Sequence, residues 1–563
     1  METPKVWKIH PRNPELQATL SDNLKIHPLI AQLLINRGVV DAGEAKIFLS
    51  SALADLYDPF LLTDMEKAVH RIRRAQAQQE TVLVYGDYDV DGVTSSAILN
   101  KTLTRLGVLV SNYIPHRLHD GYGINENVVA IAQAKGASLL IAVDCGITAN
   151  RQVAALQREG IDVIILDHHE PAEEGIPAAV AVVDPKRKDC RYPFKSLASV
   201  GLVAKLTQAL FGCVQEDDLD LVALGTIADV VDLQSENRIF VKAGLPLIGR
   251  TRNKGLAALM EVARIKDKKL RPYHAGFILG PRLNATGRMD SAQKSLDLLL
   301  SDDDSEASVL ARFLEETNTE RQKLQRAIIE DALDLVEREI NFRDHKVIVV
   351  SKAGWHKGVL GIVASRLTET YYRPSIVISL KDGVGTASAR SIEGFHLHEA
   401  LVSCAPMLEG FGGHQLAAGL TILEENIERF RHEINLFARQ ILPAQGLLPV
   451  LDIDLELPFS DLNLDLIPKI DALEPYGEGN PEPVFCSRQL TVKSRPVVMG
   501  KETIKFWVTD GKMTLSAVGF GMSRYKDQLA VQQKIDLAYQ LMIDDWNKAP
   551  TLQLKIKDIQ FPP

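Results

Sequence analysis

Residues Thr81–Leu99, TVLVYGDYDVDGVTSSAIL, decide how the rest of the chain is read. The β-branched, apolar run Thr81–Tyr85 reads as a strand ending at Gly86, and Thr94–Gly107 reads as a helix. Between them Asp87, Asp89 and Asp91 come at alternate positions, and Gly92 closes the loop. Alternate residues at the end of a strand point to one side, so the three carboxylates are expected to share a face. Crowded anions repel one another unless a cation sits among them, and a divalent metal is the simplest cation to supply. Asp87 to Gly92 also matches the calcium loop D-x-[DN]-x-[DN]-G letter for letter. That loop needs a bidentate Glu at its twelfth position, where this chain has Ile98, and a helix before it, where this chain has a strand. A turn in which Asp and Gly serve local geometry alone is the plainest alternative.

Outward from this stretch, strands and helices alternate to about Val183. Strands are expected at Val108–Ile114, Ser138–Val143, Asp162–Leu166 and Val180–Val183, with helices at Asn125–Lys135 and Ala149–Glu159. That rhythm implies a parallel sheet covered by helices, with functional residues at the C-terminal strand ends. Asp144 in VDCG and Asp167, His168 and His169 in LDHH keep the rule, and a helix-rich stretch follows with Asp229 in GTIADVV. Carboxylates with imidazole suit Mn2+, and Mg2+ is also compatible. Two such ions sharing a carboxylate would clamp a phosphate and lower the pKa of a bound water.

The chain has 563 residues, enough for several domains, and a net charge of −9. It is not a protein that coats nucleic acid by bulk attraction, so any polyanion site must be a local basic groove. The five cysteines are scattered without a CxxC, which argues against a zinc ribbon or disulfide scaffold. The first residues, METPKVWKIHPRN, lack an apolar signal core and no run is long enough to span a bilayer, so a soluble, cytoplasmic protein without membrane contact is expected.

Residues 1–60 carry short helical patterns and read as a packing arm. Asp302–Arg338, free of Gly and Pro, reads as a long connecting helix. A second α/β unit begins at His345, and a turn-punctuated β-rich segment of about five strands follows Gly446 and suits an OB-like barrel. The expected division is therefore an arm over 1–60, a first α/β domain over 61–300, a connecting helix over 301–344, a second α/β domain over 345–445 and an OB-like nucleic-acid-binding domain over 446–563. On the substrate side, Arg117 sits in PHRLHDGYG, where Tyr122 is placed to stack on a base. Arg282, Arg288, Ser388, Arg390 and His414 fall in Gly-containing stretches read as loops, where the backbone can approach a phosphate and Arg can grip it bidentately. Domain-interface ion pairs are the plainer reading of those arginines. In the tail, Phe506, Trp507 and Trp546 with Lys505 and Lys555 suit a single-strand groove, or the two tryptophans a barrel core.

Taken in order and spacing, GDYDVDG, VDCG, LDHH and GTIADVV resemble the DHH phosphoesterase superfamily. GPRLNATGR, WHKGVLGIVASR, SARS and FGGHQLAAG resemble its DHHA1 partner domain, and LEPYGEGNPEPVF before a β-rich tail is similar to the RecJ family of single-strand-specific exonucleases. The resemblance runs from NRGV near residue 36 to the end of the chain. It implies a hydrolase that degrades single-stranded DNA from the 5′ end to mononucleotides in repair and recombination, with two Mn2+ or Mg2+ ions. A single-strand-binding protein and a helicase are the implied partners. It also implies residue roles: Asp89 and Asp91 as first-motif ligands, Asp144 as the carboxylate bridging both ions, His168 and Asp229 as further ligands. Asp87 and His169 are implied as catalytic groups beside them. Tyr85 departs from small-substrate relatives such as the manganese pyrophosphatases, which carry a metal-binding His there, and Asp232 stands where Pro is expected. The rival readings are a phosphoesterase acting on short oligonucleotides or cyclic dinucleotides and a non-catalytic single-strand-binding replication scaffold. The β-rich tail and the GYG loop speak for a polymer substrate, and the intact ligand motifs speak against a scaffold.

Overall fold

A computed structural model describes residues 5–117, 121, 123–173, 175–266, 268–443, 447–544 and 550–562. The chain forms two compact units, each built from separated stretches. One contains Tyr57–Asp229 and Gly244–Pro449; the other contains Lys5–Leu56, Val230–Ala243 and Val450–Pro563.

The first unit is organised around a five-stranded parallel sheet in the order Leu109–Tyr113, Thr81–Gly86, Leu139–Val143, Asp162–Leu166, Ala181–Val183. Leu139–Val143 is buried at every position, because helices cover both faces of the sheet. The chain leaves Thr81–Gly86 towards one edge and then returns to build the other. The switch falls between Thr81–Gly86 and Leu139–Val143, the crevice where parallel sheets place their ligands. Asp87 and Asp144 follow those two strands directly.

The helix after the first strand begins at Val90, four residues before the expected start, and runs to Arg105. Alternation along a strand therefore does not gather the three carboxylates. Asp87 follows the strand, Asp89 caps the helix by accepting the Gly92 N–H at 3.0 Å, and Asp91 lies in its first turn. Asp is favoured at both helical positions by the orphan N–H groups and the positive end of the helix dipole.

Asp304–Glu339 is a continuous 36-residue helix, about 54 Å at the standard rise, close to the expected Asp302–Arg338. Asp303 caps it through the Glu306 N–H at 2.8 Å. Ala307, Ala311 and Leu314 are buried along its first half. Ile328, Ala332 and Val336 join Val359, Leu360 and Val363 in the core of the second α/β part. That part has a five-stranded sheet in the order Leu408–Gly413, Ala417–Leu423, Val384–Arg390, Ser375–Lys381, Ile348–Ala353, parallel between the last two strands and antiparallel elsewhere. Two loop expectations are corrected here. Arg282 and Arg288 lie on the helix Gly280–Met289, and Ser388 and Arg390 lie on the strand Val384–Arg390. The helical glycines mark close approach: a Cβ on Gly287 would sit 2.7 Å from the Tyr88 carbonyl oxygen.

In the second unit, seven strands run in the order Leu455–Glu456, Phe485–Val492, Lys534–Asp544, Thr551–Gln560, Thr514–Gly519, Thr503–Thr509, Val497–Met499. Phe485–Val492 also pairs with Thr503–Thr509, through Thr491 with Thr509 and Val492 with Val508, which closes the sheet into a barrel. Residues Leu490–Met499 thus divide between two strands, Phe485–Val492 and Val497–Met499. Helices Pro14–Leu24, Pro28–Asn36 and Ala42–Ser50 send Leu20, Leu33, Leu34 and Phe48 into the same core as Phe485, Phe506 and Tyr539. Arg238, fully buried, donates to the carbonyls of Phe48 at 2.8 Å and Glu474 at 2.8 Å, and its guanidinium lies 3.8 Å over the Phe48 ring. Along Thr503–Thr509 the alternation settles the aromatic readings: Phe506 belongs to the core and Trp507 is exposed. Trp546 lies outside the described residues.

Candidate functional site

The acidic groups converge at the switch point of the parallel sheet. Asp87, Asp89 and Asp144 can offer ligand atoms within 4.8 Å of one another, as can Asp144, His168 and His169, and Asp91, His168 and Asp229, carboxylate oxygens from the Asp and ring nitrogens from the His. His168 Nε2 lies 3.3 Å from Asp144 Oδ1 and 3.6 Å from Asp229 Oδ2. Asp144 holds φ 62°, a left-handed conformation that Asp tolerates and that turns its carboxylate away from the strand direction. Asp91 is the most tied down: both its oxygens accept backbone N–H groups, from Ser199 at 2.8 Å and Val200 at 2.8 Å.

The electrostatics fit a cation. Burial first, and then the surrounding carboxylates, push Asp87, Asp91 and Asp144 well above the ordinary carboxylate range. The same causes raise Asp229 to about 7. These groups cannot all be ionised at neutral pH without positive charge among them. Among the described residues, Asp87 Oδ1, Asp144 Oδ1, Asp229 Oδ2 and His168 Nε2 are buried and have no hydrogen-bond partner. Native proteins rarely leave buried polar atoms in that condition. His168 is held at about 3 by burial and by the charge of His169, so its ring is neutral and suited to ligation. Oxygen donors with one or two imidazoles suit Mn2+ or Mg2+.

Asp167, which sequence reading passed over as a site residue, organises the histidines. Its buried carboxylate accepts from the backbone N–H groups of Ile147 at 2.9 Å and His168 at 2.8 Å, and it contacts His169 Nδ1 at 2.7 Å. Burial is the largest single influence and would lower His169, but the bond to Asp167 and the charges of Asp167, Asp229 and Asp87 together outweigh it and raise the imidazole to about 9. The signal was adjacency within the DHH triplet. Asp184 was also missed: it follows the next strand end, is fully buried, and is raised to about 7 by its burial.

Beside the acidic centre lies a group of arginines. Arg288 ends the helix Gly280–Met289, and the close approach of Gly287 to Tyr88 sets it against the GDYDVDG loop. Burial first, then the charges of Arg117, Arg321 and Arg390, lower Arg288 to about 10. Arg117 lies 5.0 Å over the Tyr88 ring. Arg390 is lowered by burial and by Arg117, and its guanidinium packs on Gly361, where a Cβ would come within 3.0 Å of it. Ser388 and Arg390 share one face of their strand, and Arg390 pairs across the sheet with Ala417, whose carbonyl accepts from the His414 N–H at 2.8 Å. The His414 side chain is exposed in that turn. The structure does not bring Arg282 to this group: Glu315 on the long helix holds its guanidinium, so here the ion-pair reading applies. Tyr122 lies outside the described residues.

Three family models match separate parts of the chain. Residues 81–226 match the DHH family N-terminal domain, 344–440 the DHHA1 domain and 453–558 the RecJ OB domain. The single-stranded-DNA-specific exonuclease RecJ of Bacillus subtilis is 39% identical over 98% of this chain and 70% of that relative. The protein of the same name from Escherichia coli is 33% identical over 98% of this chain and 99% of its own length. Among solved structures, Thermus thermophilus RecJ in complex with Mn2+ superposes with a TM-score of 0.85 at 29% identity, covering 99% of this chain and 80% of that one. A RecJ exonuclease bound to manganese gives 0.61 at 34% identity, over 70% of this chain and 99% of its own. With full-length likeness above 30%, matches to all three domain types, and a metal-ready acidic cluster at the switch point, this chain belongs to the RecJ family.

Proposed function

We propose that this chain is a single-strand-specific DNA exonuclease that removes mononucleotides from the 5′ end and serves DNA repair and recombination. One observation carries the reading: a cluster of metal-ready carboxylates and a group of half-buried arginines stand side by side in one unit. Divalent ions held by Asp89, Asp91, Asp144, His168 and Asp229 would supply Lewis-acid stabilisation of phosphate charge and an activated water.

The residues of the chain have separable tasks in this reading. Asp87 and His169 flank the reacting phosphate, and Asp167 holds the His169 ring in one orientation with its Nδ1 proton directed at the carboxylate. That leaves Nε2 of a cationic imidazole to donate to a phosphate oxygen. Arg117, Arg288 and Arg390 bring positive charge beside the carboxylates, and Ser388 adds a hydroxyl on the face of Arg390. We assign the terminal 5′ phosphate to Arg390, Ser388 and His414. A fixed distance between that grip and the acidic centre would release one nucleotide per cut. The closed barrel matches the RecJ OB domain and fits a role in holding single strands. No helix among the described residues is long and apolar enough to cross a membrane. Cytoplasmic residence fits the five free cysteines. A helicase that exposes strands and a single-strand-binding protein that holds them are the partners such an activity calls for.

The test is the product pattern from 5′-labelled single-stranded DNA with Mn2+. Labelled mononucleotide from the first turnover, with a blunt duplex resistant, is the expected result. Release of label in longer fragments, or attack from the 3′ end, overturns the reading. Cleavage confined to dinucleotides points to the small-substrate rival, and binding without cleavage to the scaffold.

A further inference from the structure

In a chain of net charge −9, the stretch Ala263–Phe277, ARIKDKKLRPYHAGF, stands out with five Lys or Arg and a single acid, Asp267. Arg264, Lys268, Lys269 and Arg271 are exposed. Tyr273 and Phe277 follow, 62% and 73% exposed, and they stack on each other with centroids 5.4 Å apart and planes 18° from parallel. A paired aromatic surface turned to solvent beside a run of cations unites the two features that hold an unpaired strand: π faces for bases and positive charge for phosphates.

The position of the pair gives it an occupant. Residues 275–279 form a π-helical turn that continues directly into Gly280–Met289, the helix ending near Arg288. Gly276 packs on Ile227, with its Cβ position 3.4 Å from Ile227 Cγ2. The Cβ position of Gly280 is 3.4 Å from Ala228 and 3.9 Å from Val90. The segment therefore rests on the end of the helix that delivers Asp229 and on the first residue of the helix that Asp89 caps. The segment that carries the aromatic pair and the cations thus packs, through Gly276 and Gly280, on the elements that carry the acidic residues, and π-helical turns recur at functional sites.

We infer that Tyr273 and Phe277, with Lys268, Lys269 and Arg271, form a platform on which the unpaired strand lies close to the acidic centre. Bases stack on the rings while phosphates follow the cations. Stacking of this kind accepts any base, as a nuclease without sequence preference requires. An acidic protein segment would answer the cations but leave the stacked rings without a partner. The inference rests on the single-strand reading above.

The experiment measures binding of fluorescent 30-nucleotide strands to the full-length protein in EDTA, which stops hydrolysis. Y273A/F277A is expected to bind an ordinary strand about 10-fold or more weakly than the parent, the scale of one or two lost base–aromatic stacks. Tyr273→Trp should bind like the parent. On an abasic strand, parent and Y273A/F277A should agree within about twofold. K268Q/K269Q, which alters only exposed side chains, should lower the slope of log affinity against log salt by about 1 to 1.5. The platform is overturned if Y273A/F277A matches the parent on the ordinary strand, or if it loses equally on both strands. It is also overturned if K268Q/K269Q leaves the slope unchanged, or if the variants lose affinity for poly-glutamate but not for DNA. Should the parent bind and cut no single strand, the proposed function itself falls; should the parent do both and the variants behave like it, only the platform falls.

Discussion

Asp144 is held in a left-handed backbone conformation, fully buried, with one oxygen lacking a hydrogen-bond donor. A carboxylate in that state weakens the metal-free fold, and the proposed role as a metal ligand accounts for it. Asp144→Ala should reduce hydrolysis below about a tenth of the parent, a barrier increase of at least ~1.4 kcal/mol. Asp144→Asn should raise the melting temperature of the metal-free protein, because its carboxyl is pushed far above the ordinary range and the charged form is disfavoured at pH 7. It should also lose most of the stabilisation that Mn2+ gives the parent, which a ligand at 100 times its Kd would set near ~2.7 kcal/mol. Calorimetry with and without Mn2+ checks both signs. Arg390 tests the other half of the site. Arg390→Ala should cost ~1.5–3 kcal/mol on 5′-phosphorylated strands, the scale of a charge-assisted hydrogen bond, and much less on strands with a 5′ hydroxyl. Equal losses on both ends would place Arg390 against the strand interior.

At the scale of elements, the helix Gly280–Met289 shows how one segment serves two purposes. Its Arg282 is spent on Glu315 of the long helix, while its Arg288 joins Arg117 and Arg390 beside the acidic centre. The two bare positions around Arg288 make the approach possible. A Cβ on Gly287 would meet the Tyr88 carbonyl oxygen at 2.7 Å, and one on Gly358 would meet the Arg288 carbonyl oxygen at 2.2 Å. Both obstacles are backbone and cannot swing aside. Gly287→Ala should therefore shift the GDYDVDG loop against the helix by several tenths of an ångström. The expected result is a fall in kcat of about 10-fold or more, with little change in secondary structure by circular dichroism. A variant with full activity would show that the loop and Arg288 do not need this registration.

Across the whole molecule, the division into units does not follow chain order. The arm Lys5–Leu56 belongs with Val450–Pro563, and Leu20, Leu33, Leu34 and Phe48 share a core with Phe485 and Phe506. Arg238, from a third stretch, ties that unit together through backbone carbonyls. A chain ending after Pro449 should expose the inner faces of the arm helices and aggregate, whereas one that also lacks residues 1–56 should be more soluble. Comparative solubility and light scattering of the two truncations check this. If both are equally soluble, the arm does not depend on the barrel for cover.

Much of the site was legible because it is written in short-range chemistry. Apolar runs ending in an Asp announce strand ends of a parallel sheet, and Asp87, Asp144 and Asp167 all follow that rule, with His168 next in line after Asp167. The long helix was equally legible, since 36 residues without Gly or Pro leave few alternatives. Short-range signals also misled. The alternation of Asp87, Asp89 and Asp91 suggested an extended segment, but capping of the helix by Asp89 set the backbone there. Where a charge finds its partner lies beyond any local pattern. Arg282 and Arg288 have the same residue type on the same helix, and only the packing of the long helix gives one of them Glu315. Phe506 and Trp507 differ by one position along a strand, and which of them enters the core depends on the pairing that closes the barrel. By itself, the sequence determined the parallel sheet, the acidic strand ends and the chemistry they support. The tertiary structure decided which cations lie beside the acidic centre and that the arm and the barrel share one core, because each depends on contacts between residues brought together only by folding.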